Sequence, residues 1–182
     1  MELTDQEKNT LLDIAKNAIA AKINHRETPE LNIDSNNLRL KRGAFVTLKK
    51  QGRLRGCIGY IKAYKPLWKT VQEMAVAAAF HDPRFPSLRA EEIQQLTFEI
   101  SVLSPLKRIA DVNDIEVGRH GLYIIRRHHS GLLLPQVATE YKWDRETFLE
   151  ETCHKAGLPP DAWKDKETEI YIFSADYFGD IS

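Results

Sequence analysis

Apolar residues recur at helical spacing near the start of the chain, with Leu12, Ala15, Ile19 and Ile23 falling on one face. Ahead of them, Thr4 and Glu7 stand where a capping box needs them. The Thr4 hydroxyl can accept the Glu7 amide proton while the Glu7 carboxylate reaches back to the Thr4 amide. A helix is therefore predicted to begin there and to end before the polar stretch 24–37, which carries Pro29 and reads as a loop. Ala44 to Leu48 is β-favouring, Gln51-Gly52 can turn the chain, and Leu54 to Tyr60 reads as the returning strand of a hairpin. Pro66 suits a first helical turn, and Leu67, Val71, Met74, Ala75 and Ala78 then form one apolar stripe that stops by His81-Asp82-Pro83.

Further along, Phe98, Ile100 and Val102 alternate with Thr97, Glu99 and Ser101, the period of a strand with one wet face. Leu122 to Arg127 and Leu132 to Pro135 bracket residues 128–131 and suggest a second hairpin. Asp144 can cap a helix with Phe148, Leu149, Thr152, Cys153 and Ala156 on its apolar side, closed by Gly157 with Leu158 packing back beneath it. Glu169 to Phe173 supplies a late strand. Strands that meet mostly as hairpins, with helices inserted irregularly, predict an α+β fold with an antiparallel or mixed β-sheet and packed helices rather than a βαβ winding.

Composition narrows the class without changing that picture. At 182 residues the chain suits a single domain over 1–182, long enough to bury a core without a covalent staple. Lys plus Arg and Asp plus Glu number 26 each, so no net field draws a polyanion. Nucleic-acid binding would rest on one local run, Lys41, Arg42, Lys49, Lys50, Arg53 and Arg55, which a solvated hairpin also explains. Cys57 and Cys153 form neither a disulfide framework nor a zinc knuckle. The first residues lack a signal-peptide pattern and no apolar run is long enough to cross a bilayer, so a cytoplasmic location without a membrane partner is expected.

Candidate chemistry centres on Leu54-Arg55-Gly56-Cys57-Ile58-Gly59. Two glycines inside a good strand weaken it, which suggests that something approaches the backbone closely. Gly56 and Gly59 could present amides to a ligand, and Arg55 could supply a fixed positive charge. Two residues apart, Arg55 and Cys57 are expected on one strand face, where a guanidinium would favour thiolate over thiol. The same residues also suit a buried cysteine, a bulge or tight packing against a helix. A Cys–His pair would have to be assembled by the fold, from His81 or His120. His81, Asp82, Arg84 and Phe85 form a polar and aromatic cluster on a loop stiffened by Pro83 and Pro86, and could rim a site or simply cap a turn and plug the core. Gln136 and Glu140 would share a face if their segment is helical. No Cys-x-x-Cys, His-x-x-x-His, phosphate loop, dinucleotide fingerprint or nucleophile elbow occurs, so neither a metal nor a resident cofactor is expected.

These blocks together resemble the AMME-candidate-region domain family, known in prokaryotes as AmmeMemoRadiSam system protein A. The resemblance is carried by Leu54 to Gly59, Asp82 to Phe85, Phe98 to Pro105, His120-Gly121-Leu122, Gly131 to Ala138, Trp143-Asp144 and Cys153 to Leu158; it departs at Ser87, where a second proline is expected after Pro86. It implies an α+β fold with a larger and a smaller lobe and the hexapeptide near a groove between them. It also implies a modification pathway shared with Memo-like and radical S-adenosylmethionine proteins. The chain lacks a three-cysteine cluster, so an iron–sulfur cofactor would belong to a partner.

Two functions are expected to compete. In the first, a small polar or anionic substrate lies along Arg55, Cys57, Asp82 and Arg84, with Cys57 as nucleophile or acid/base and Arg55 holding substrate charge. In the second, the chain is a non-catalytic adaptor presenting Phe85, Pro135 and Trp143 to a partner protein.

Overall fold

The computed structural model describes residues 2–180, which form two compact units. The first runs to Leu103 and takes back the segment from Asp176; the second is Ser104–Ala175. Each unit is built on its own four-stranded sheet, and every strand pairing with a described register is antiparallel. The expected α+β class holds, with two sheets in place of one.

In the first unit, α1 (Asp5–Ile23) starts on the expected capping box: Thr4 Oγ1 accepts the Glu7 amide at 3.2 Å, and the Glu7 carboxylate accepts the Thr4 amide at 2.9 Å. Ser35 donates to the same carboxylate at 2.6 Å and is the main reason its pKa falls to about 2. Ser35 in turn caps the short α2 (Asn36–Arg39), which begins inside the stretch expected to be loop. Strands β1 (Ala44–Lys50) and β2 (Arg53–Tyr60) form the predicted hairpin, and α3 (Leu67–Phe80) follows, with His81 as its C-cap. A 3-10 turn at Ala90–Gln95 leads into β3 (Leu96–Leu103). Ala44, Val46 and Leu48 of β1 and Phe98, Ile100 and Val102 of β3 form one buried face, packed with Leu11, Ile19, Leu67 and Val71 from the helices. Each such aliphatic side chain, fully buried, contributes roughly 1.5–3 kcal/mol.

The second unit contains β4 (Lys107–Ile109), β5 (Gly121–Arg126), β6 (His129–Leu133), α4 (Pro135–Glu140), α5 (Arg145–Lys155) and β7 (Glu169–Phe173), in sheet order β4-β7-β5-β6. Its hairpin is tighter than the sequence suggests. Arg127 adopts φ 54°, so Arg127 and His128 alone make the turn and β6 already begins at His129. Pro135 belongs not to that strand but to the first turn of α4, where its missing N–H is harmless. Asp144 caps α5 by accepting the Thr147 amide at 2.8 Å, and Gly157 closes it at φ 74°.

Strand β8 (Ala175–Gly179) completes the first unit's sheet, in the order β2-β1-β3-β8. Asp180 fixes its end: its amide donates to the Phe98 carbonyl at 2.9 Å, and its carboxylate accepts the Phe98 amide at 2.9 Å. Among the described residues, no helix is long and apolar enough to cross a membrane.

Candidate functional site

Strand β2 lies at the edge of its sheet, so the backbone groups that point away from β1 need partners from elsewhere. At Cys57 those partners come from the loop after α3. The Asp82 carboxylate accepts the Cys57 amide proton at 3.0 Å, and Arg84 Nη2 donates to the Cys57 carbonyl at 3.3 Å. Within the loop, Arg84 grips Asp82 through Nε at 3.0 Å and Nη2 at 2.8 Å, while its backbone amide donates to the same carboxylate at 3.1 Å. One ion pair thereby stands in for a neighbouring strand.

The electrostatics follow from that geometry. Hydrogen bonding from Arg84, reinforced by the amides of Cys57 and Arg84, holds the Asp82 carboxyl far below the ordinary carboxylate range despite burial, which opposes the shift. Asp82 in turn raises the Arg84 pKa, with Cys57 as a further electrostatic contributor. The Asp82 side chain is only 2% exposed but that of Arg84 is 50% exposed, so the clip has a buried foot and a solvent-facing head.

On its other side Cys57 faces Thr47 across the hairpin, where the Thr47 hydroxyl donates to Cys57 Sγ at 3.2 Å. Cys57 itself is half-buried. Arg55 does not follow the simple alternation that would put it on the face of Cys57. The pairing passes from Leu48↔Gly56 to Lys49↔Leu54, which leaves Arg55 as the extra residue of a β-bulge. Its Nε and Nη2 instead reach the two oxygens of Glu92, at 3.1 and 3.0 Å. Lys50 donates to that carboxylate at 3.0 Å and so does the Arg89 amide at 3.0 Å, lowering the Glu92 pKa to about 2 with Arg55 as the leading cause. The Phe85 ring lies 6.0 Å from the Arg55 guanidinium carbon and 5.5 Å from that of Arg84. With Lys49 paired to Glu99 at 2.6 Å as well, much of the basic run along this hairpin is matched by carboxylates.

Packing accounts for the two glycines. A Cβ on Gly56 would lie 2.1 Å from the Ala78 carbonyl oxygen, so only glycine lets α3 approach the strand this closely. At Gly59 it would lie 2.4 Å from the Phe45 ring. Both contacts are with the protein's own chain.

Of the residues singled out from the sequence, Arg55, Gly56, Cys57, Gly59, Asp82, Arg84 and Phe85 belong to this one neighbourhood of the first unit. His81 is exposed and lines a separate open cleft of about 840 Å³ with His25, Tyr60 and Gln72. Gln136 and Glu140 do lie four apart on α4 of the second unit, the former half-buried and the latter exposed. His120, in the same unit, accepts the Glu116 amide through Nδ1 at 3.0 Å. Pro135 is buried, whereas Trp143 is half-buried and stacked beneath Tyr141 at 5.0 Å, and Tyr141 is 66% exposed. The sequence pattern does not single out Thr47, Glu92 or Tyr141. Only Thr47 left a signal, as the polar residue alternating with Val46 and Leu48.

Two antiparallel sheets carrying packed helices, with a cysteine on an edge strand clipped by a half-exposed ion pair, define an α+β protein whose polar cluster is local to one unit. The chain belongs to the AMMECR1 family, whose model matches residues 12–178. A protein of Methanothermobacter thermautotrophicus is 46% identical over 97% of this chain and 95% of its own length. Protein MK0488 of Methanopyrus kandleri is 43% identical over 97% of this chain and 90% of its own. Among solved structures, the uncharacterized protein PH0010 from Pyrococcus horikoshii superposes with a TM-score of 0.94 at 39% identity, covering 99% of this chain and 94% of that one.

Proposed function

We propose that the edge of β2 around Cys57 binds a small polar or anionic substrate, as one component of a modification pathway that also employs Memo-like and radical S-adenosylmethionine proteins. The observation that carries this reading is the clip. Both backbone groups of a half-buried cysteine are fixed by one ion pair, and the guanidinium of that pair remains half-exposed beside the thiol. A fixed thiol next to an accessible, permanently charged donor suits a nucleophile or acid/base that acts on a group Arg84 can orient. Arg84 thus takes the charge-holding role that the sequence suggested for Arg55. Iodoacetamide labelling of Cys57 against pH, in the wild type and in Arg84→Gln, tests the reading. Slower labelling of the variant near neutral pH supports it, and identical profiles sink it.

A second reading is favoured by one observation in the other unit. Tyr141, exposed and stacked on Trp143, is a rigid aromatic surface of the sort found at protein-binding sites. As an adaptor, the chain would lose binding to its Memo-like partner in Tyr141→Ala and keep it in Cys57→Ser. The opposite pattern would refute that role.

A further inference from the structure

Arg55 commits two of its three guanidinium nitrogens to Glu92, and the third, Nη1, is buried with no hydrogen-bond partner among the described residues. The residue as a whole is 9% exposed. Buried polar groups are almost always satisfied, because an unmatched donor bears the full penalty of leaving water, and a charged one bears more. Besides Glu92, the Phe85 ring lies 6.0 Å from the Arg55 guanidinium carbon, the outer limit of a cation–π contact.

The local charge is also unmatched. Lys50 and Arg55 share the single carboxylate of Glu92, two cations to one anion. The neighbouring pair of Asp82 and Arg84 is neutral as a unit. Among these five side chains one positive charge is in excess, which favours an anionic acceptor over a neutral carbonyl.

Phe85 is the side chain that both guanidiniums of the site share as a neighbour. Its ring lies near both guanidiniums, and it is half-buried on a loop whose backbone is tied down, its amide donating to the Asp82 carbonyl at 3.1 Å. The side chain can therefore rotate without moving the clip.

We propose that Arg55 Nη1 is a concealed anchor for an oxyanion, a carboxylate or phosphoryl group of the ligand, and that Phe85 gates it. Swinging the ring aside presents Nη1 and the exposed Arg84 guanidinium to one oxyanion, so that two arginines hold the ligand next to Cys57. This deepens the function proposed above and rests on the same site, but it requires no reaction of the thiol.

The test uses inorganic phosphate and acetate as probes, titrated into the full chain labelled with ¹⁵N-arginine. In Phe85→Ala, one probe is expected to bind at least several-fold more tightly than in the wild type and to shift the Arg55 side-chain resonances. Which probe it is distinguishes the phosphoryl from the carboxylate source. Adding Arg55→Lys to Phe85→Ala should abolish the gain. Should that double variant not fold, the Arg55 resonances of the single variant decide the matter alone. No binding in Phe85→Ala, or binding that leaves the Arg55 signals unmoved, overturns the proposal; the latter marks adventitious binding or a resident water on Nη1. Anion binding is read from the Arg55 resonances and thiol chemistry from Cys57 labelling, two separate measurements. Intact anion binding with Arg84-independent labelling of Cys57 would therefore remove only the thiol chemistry, and the reverse result would remove only the concealed anchor.

Discussion

Asp82 accepts the amide proton of Cys57 at 3.0 Å, joining a loop carboxylate to an edge-strand backbone 25 residues away. The same carboxylate carries the Arg84 guanidinium, so its removal leaves an unpaired amide and an unpaired cation together. Asp82→Ala is predicted to destabilise the protein by about 2–4 kcal/mol, measured by urea unfolding. Asp82→Asn, which can still accept one hydrogen bond, should lose less. The Cys57 amide should also exchange faster with solvent in Asp82→Ala; an exchange rate unchanged from wild type would show that the clip does not hold the strand.

The closeness of Gly56 to α3 makes a sharp comparison with Gly52 at the hairpin turn. In Gly56→Ala the new methyl would meet the Ala78 carbonyl oxygen at 2.1 Å, a backbone atom that cannot swing away. A loss of about 3 kcal/mol or more is expected, at the upper end for overpacking. Around Gly52 nothing lies within 4 Å, and only its φ of +74° opposes a side chain. There Ala should cost about 1 kcal/mol. Calorimetric melting of both variants checks the order, and equal shifts would contradict the packing argument.

Glu92 supplies a pH dependence whose sign can be worked out. Its pKa falls from the ordinary 4.5 to about 2 in the folded chain, chiefly through Arg55. The unfolded state therefore binds the proton first as acid is added, and folding stability declines. The contribution is fully present above about pH 4.5 and is lost as pH falls through about 2. Glu7 behaves alike over the same range, with Ser35 as the leading cause. Glu92→Gln should therefore be less stable than wild type at pH 7, and the gap should shrink between pH 5 and pH 2. A gap independent of pH would mean that the charge on Glu92 contributes nothing.

The three long helices and the first hairpin are legible in the sequence, because there local chemistry and burial agree. Thr4 with Glu7, Asp144 before α5 and Gly157 after it are caps whose donors and acceptors lie within a few residues of each other. β8 was illegible because its place is set by β3, through Asp180 and Phe98, which are 82 residues apart. The same limit applied to the candidate site. Asp82, Arg84 and Cys57 could each be noticed, but their assembly depends on β2 being an edge strand, a property of the sheet order. Arg55 was placed on the wrong footing by one extra residue. Strand alternation holds only while the register does, and the bulge opposite Leu48 and Lys49 breaks it at Arg55.

The two cysteines provide the last prediction, because their surroundings separate them by kinetics. Cys153 is fully buried on α5, and burial raises its thiol pKa, with Asp161 and Glu150 adding to the effect. An alkylating reagent can reach it only after the second unit opens. An opening free energy of even about 4 kcal/mol, below the range for whole domains, leaves roughly one molecule in 10³ reactive at a time. Cys57 is half-buried in the folded chain and needs no such opening. With iodoacetamide at pH 8, Cys57 should label at least about 10²-fold faster than Cys153 in native protein, and the two rates should converge in 8 M urea. Peptide mass analysis at timed intervals resolves the two sites. If Cys57 labels as slowly as Cys153 in buffer and catches up only in urea, its thiol is closed to solvent in the folded state. The edge of β2 then serves packing rather than chemistry.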